Sequence, residues 1–146
     1  MNPQKLSPTA EDIRLKIKAM IPELSHQAVE NRAALLKTEK NGNKTYGGDL
    51  LGAQISLLSR QLPIPDPENW GWRLLYFAVP TTVTARKRGF LIPLSRETLC
   101  DGILKEAASE EASQEEASQE GFYVETAPDA GTKVNSETAA IYFVPR

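Results

Sequence analysis

Apolar residues recur at helical spacing in the first third of the chain. Ile13, Ile17, Met20 and Leu24 form one stripe, which predicts a helix. Ser7 stands where an N-cap belongs, and Pro8 suits the first turn. Pro22 interrupts the stripe, so a break is expected near Ile21. Val29, Ala33 and Leu36 predict a second helix, closed by the turn chemistry of Asn41-Gly42-Asn43. Gly47-Gly48 leads to Asp49, a good cap, and Leu51, Ile55, Leu58 and Leu62 predict a third helix.

The pattern changes after Leu62. Pro63, Pro65 and Pro67 mark an extended linker. From Trp72 to Val79 apolar residues fill both alternating faces apart from Arg73, with Trp72, Leu74, Tyr76 and Ala78 on one and Leu75, Phe77 and Val79 on the other. Such a strand belongs in the middle of a sheet covered on both sides. Val83 to Arg86 and Phe90 to Leu94 are shorter strand candidates, and Ser95 would cap a short helix over Arg96 to Lys105. Phe122 to Thr126 and Ala140 to Val144 read as strands of an antiparallel hairpin that joins the same sheet.

Residues 106–120 are different in kind. They repeat a pentad of glutamate, alanine, serine and glutamine and contain no large apolar side chain. Such a tract cannot bury enough surface to offset its ordering entropy. The expected architecture is one α+β domain over residues 1–146. Helices in residues 1–62 pack on a small antiparallel sheet built from residues 69–105 and 121–146, with 106–120 as an acidic low-complexity insert.

Charge alters this picture in one respect. The net charge of the 146 residues is −2, but the six glutamates of 106–120 contribute −6, leaving the remaining chain at +4. The densest basic run is Arg86-Lys87-Arg88, beside the aromatic strand that holds Trp70 and Trp72. One cysteine, Cys100, excludes an internal disulfide, and one histidine, His26, leaves no zinc-ligand spacing. The N-terminus lacks a signal-peptide core, and no apolar run approaches the ~20 residues of a membrane span. A cytoplasmic protein without cofactor or metal is expected.

The candidate chemistry is sparse. His26 has no neighbouring nucleophile and acid in sequence, and Cys100 sits between apolar neighbours as a small hydrophobe would. Gly47-Gly48-Asp49-Leu50-Leu51-Gly52 lacks the lysine and hydroxyl of a phosphate loop. Asn43-Lys44-Thr45 matches a glycosylation sequon without a secretion signal to give it meaning. No catalytic residue is assigned.

The binding candidates are Arg86, Lys87, Arg88, Arg73, Trp70 and Trp72, because tryptophan and arginine are enriched where interfaces concentrate their energy. The first reading is a small non-enzymatic binding or adaptor protein with a protein partner. The alternative is nucleic-acid binding through the basic turn, with Arg73 and Arg96 adding charge. A small enzyme using His26 or Cys100 comes third.

Overall fold

The structure is a computed structural model. It describes residues 4–20, 34–47, 49–64, 66–83, 88–100, 103–106, 121–126 and 131–145, with 34–38, 49–50, 67, 96–100 and 103–106 described through their backbone. In chain order the elements are β1 (Gln4–Lys5), α1 (Pro8–Met20), β2 (Ala34–Thr38), β3 (Lys44–Gly47) and α2 (Asp49–Ser59). A 3-10 turn (Pro67–Asn69) leads to β4 (Trp70–Phe77), β5 (Thr81–Val83), β6 (Gly89–Cys100) and β7 (Ile103–Glu106). The last strands are β8 (Phe122–Thr126), β9 (Thr132–Val134) and β10 (Thr138–Pro145).

Eight strands form an antiparallel sheet in the order β1-β8-β6-β10-β4-β3-β2, with β7 paired to the far end of β6. β5 and β9 make a separate two-stranded ribbon. The α+β class therefore holds.

Both flanking layers follow from the strand alternation. α1 buries Ala10, Ile13 and Ile17, and α2 buries Leu51, Ile55 and Leu58. Together with Leu62 and Ile64 they cover Leu74, Tyr76, Phe90, Ile92, Leu94, Ile141 and Phe143 on one sheet face. The residues between these in β4, β6 and β10 point the other way. Phe77, Leu91, Ala140 and Tyr142 meet Val124 of β8 and Val134 of the ribbon in a second core. β4 is thus covered on both faces and lies between β10 and β3, as its doubly apolar pattern requires.

The N-terminal cap is formed as expected. The Ser7 hydroxyl accepts from the Ala10 amide at 3.1 Å, and the Ser7 carbonyl accepts from the Glu11 amide at 2.8 Å. α1 runs to Met20, just short of Pro22.

Four expectations are corrected. Residues 1–62 are not wholly helical: Ala34–Thr38, assigned to the second helix with Leu36, is a strand paired with β3. The Asn41-Gly42-Asn43 sequence joins these two strands as a hairpin turn, with Gly42 at a positive φ of 96°. The helix expected over Arg96 to Lys105 is instead the end of β6 and all of β7, paired Glu97 to Glu106 through Cys100 to Ile103. Glu106, placed in the acidic insert, closes β7. Finally, β8 and β10 do not form a hairpin, because β6 lies between them and pairs with both.

β6 is also irregular at its centre. Ala140 pairs with Pro93 and Ala139 with Ser95, so Leu94 is the extra residue of a bulge. The bulge accommodates Pro93, which has no amide to donate to a ladder.

Candidate functional site: an aromatic and cationic cluster at one end of the sheet

The start of β4, the start of β6 and the middle of β8 converge on the helix-covered face. Register places Trp72, Phe143, Phe90 and Glu125 in one row across four strands. One step along each strand pair brings Trp70 and Tyr123 to either side of Phe90. The Trp70 and Phe90 ring centroids are 5.7 Å apart at 31°, and those of Phe90 and Tyr123 are 5.9 Å apart at 67°. Phe90 is buried, whereas Trp70 and Tyr123 are half-buried. The result is a strip of three rings whose centre is anchored in the core and whose ends reach the surface.

Arg88 completes the cluster. Two residues before Phe90, it shares that residue's face of β6, and its guanidinium carbon lies 6.0 Å from the Phe90 ring centroid. Its Nε forms an ion pair with Glu125 Oε1. The two side chains are 63% and 39% exposed, so water screens the pair and it contributes at most about 1 kcal/mol. The cation over the ring adds a similar amount, about 0.5–1 kcal/mol at an exposed site. These contacts hold the guanidinium in place more than they stabilise the fold.

The sequence candidates separate. Trp70 and Arg88 belong to the cluster. Trp72 packs beneath α2: a Cβ on Gly52 would stand 3.3 Å from Trp72 Cζ2, so Gly52 lets the helix approach the indole. Arg73 is exposed on the opposite, ribbon-covered face, in register with Tyr142. Arg86, Lys87 and His26 lie outside the described residues, and Arg96 and Cys100 are described through their backbone alone. Phe90, Tyr123 and Glu125 were missed. Alternation within β6 puts Phe90 on the face of Arg88, and alternation within β8 puts Tyr123 and Glu125 on one face, but the pairing of β8 with β6 is not encoded locally.

Chemically the cluster offers two aromatic edges, a positioned guanidinium and one carboxylate. It holds no nucleophile with a base beside it. Among the described residues no group of three or more His, Cys, Asp and Glu side chains stands together as a metal site. Among them, too, no helix is long and apolar enough to cross a membrane. No protein-family model, curated protein or solved structure matches the chain.

Proposed function

We propose that this chain is a small non-enzymatic binding protein that acts through a protein–protein interface centred on Trp70, Tyr123 and Arg88. The observation that carries this reading is the arrangement about Phe90. A buried ring fixes two half-exposed aromatics and an exposed guanidinium on one surface. Tryptophan, tyrosine and arginine are the side chains that most often dominate binding energy, since each covers a large apolar area and keeps a polar handle. Anchoring to a buried residue lowers the entropy lost when a partner docks.

Nucleic-acid binding through the basic turn is the weaker reading. Arg88 already faces Glu125, so part of the charge of the run is matched within the protein.

The test is partner capture by the full chain, compared with Arg88→Ala and Trp70→Ala. A partner retained by the natural chain should be weakened about tenfold or more by each substitution. Arg88→Ala is the cleaner variant, because it removes a surface pair and leaves the core intact. Equal retention by both variants, with circular dichroism unchanged, would refute the interface. Salt-sensitive retention of RNA or DNA instead would establish the alternative.

A further inference from the structure

β1 and the start of α1 form a second feature of the surface. β1 lies against β8, with Gln4 opposite Tyr123 and Lys5 opposite Phe122. The Leu6 amide then donates to the Gly121 carbonyl at 2.9 Å, and Ser7 opens the helix. Between strand and helix is a half-open cleft of about 540 Å³, lined by Lys5, Leu6, Pro8, Glu11, Gly121 and Phe122. That volume falls within the roughly 300–1,000 Å³ of sites that hold small organic ligands.

The lining is amphipathic in a particular way. Leu6, Pro8 and Phe122 supply apolar walls, and two side chains of opposite charge supply the polar contacts. Glu11 is fixed in place, because its Oε1 accepts from the buried Arg14. Its other oxygen, Oε2, lies on the side of Gly121, where a Cβ would come within 3.1 Å of it. Gly121 adopts a positive φ of 87° and carries no side chain, so the carboxylate is uncovered toward the cleft that both residues line. Lys5 is exposed and free to swing across the mouth.

A ligand with one charge would satisfy only one of these groups and face repulsion from the other. A zwitterion with an apolar body satisfies both. We propose that this cleft binds a free apolar α-amino acid. Its ammonium rests on Glu11 Oε2, its carboxylate meets the Lys5 ammonium, and its side chain lies against Leu6, Pro8 and Phe122. The proposal is independent of the interface about Phe90.

The experiment is a titration of the full-length protein, labelled with nitrogen-15, with L-phenylalanine and L-leucine. Saturable amide shifts are expected at Lys5, Leu6, Glu11, Gly121 and Phe122. The amide analogue, which lacks the carboxylate, and the N-acetyl analogue, which lacks the ammonium, should each bind about tenfold or more weaker, the loss of one charge-assisted contact. Lys5→Gln should weaken the free amino acid comparably and leave the amide analogue unaffected. Lys5 is an exposed residue of a two-residue strand, so the fold should tolerate its replacement. The proposal is overturned by the absence of saturable shifts up to about 10 mM ligand, the limit of weak binding. It is equally overturned if the amide analogue binds as well as the free acid, which would identify the N-terminal residue of a peptide as the occupant. Undiminished binding of the N-acetyl form would remove the role of Glu11.

Discussion

Arg14 Nη1 donates to the main-chain carbonyl of Leu94 at 2.6 Å, joining the first helix to the bulge of β6 across 80 positions of sequence. The bulge leaves Leu94 without a partner in β10, and the guanidinium takes up its carbonyl. Arg14 is only 4% exposed, and its Nε is held by Glu11. Arg14→Met keeps the volume and removes both contacts. Because Glu11 can still reach water, the loss should stay moderate, about 1–3 kcal/mol of unfolding free energy. Urea unfolding measures it, and an unchanged midpoint would show the contact to be idle.

Asn43 ties two turns together. Its Oδ1 accepts from the Ala78 amide at 2.8 Å, and its Nδ2 donates to Thr81 Oγ1 at 3.0 Å. The β2–β3 turn is thereby locked to the bend between β4 and β5. Asn43→Ala leaves a half-buried amide unpaired and should cost about 1–2 kcal/mol, while Asn43→Asp keeps the acceptor and should cost less. Thermal melts of the two variants distinguish them, and the order Asp below Ala would contradict this account. The sequon at Asn43 thus has a structural use for its amide.

Much of the fold was legible wherever one element carried its own signal. Ser7 and Pro8 announce α1, the three leucines and one isoleucine of the third stripe announce α2, and the two apolar faces of β4 announce a central strand. The failures are all questions of pairing. Residues 34–38 lie beside helical-looking neighbours, and it is their backbone pairing with β3 that makes them a strand. The β6–β7 hairpin did have a local signal: Asp101-Gly102 stands between the paired Cys100 and Ile103, and it is among the dipeptides favoured in a two-residue hairpin loop. The helix-forming residues after Ser95 masked it. The candidate site was half legible, since Trp70 and Arg88 are conspicuous, whereas Tyr123 and Glu125 reach them only because β8 docks beside β6.

Gly89 has no freedom to change. A Cβ there would stand 2.6 Å from the Phe143 carbonyl oxygen and 3.0 Å from Thr126 Oγ1. The first contact is with backbone of the central strand β10, which cannot move without breaking its ladders to β4 and β6. Gly89→Ala should therefore destabilise by about 1–3 kcal/mol, typical of an overpacked site. A melting temperature within error of the natural chain would disprove the close approach.

Three buried hydroxyls, two on the main sheet and one on the ribbon, should be better lost than kept. Thr126 Oγ1, Thr132 Oγ1 and Tyr142 Oη are buried and make no hydrogen bond to the protein. A buried hydroxyl without a partner forfeits its solvation and recovers nothing. Thr126→Val and Tyr142→Phe keep the shape and remove that cost, so each is expected to raise stability by about 0.5–2 kcal/mol. Destabilisation by either variant would mean that solvent bridges these groups.

The pentads ahead of β8 should be dispensable to the fold. They occupy the connection between β7, which ends at Glu106, and β8, which begins at Phe122, and they carry no apolar side chain large enough to enter either core. Shortening a long connection changes closure entropy slowly, by only about 0.6 kcal/mol for each halving of its length. Deleting residues 111–120 removes two pentads and four glutamates, and leaves four residues of the tract after Glu106. Calorimetry should find the melting temperature nearly unchanged. The same deletion makes the chain less acidic, so retention on heparin should rise, most visibly at low salt, where screening is weakest. A fall of many degrees in melting temperature would show instead that the pentads pack against the body of the protein.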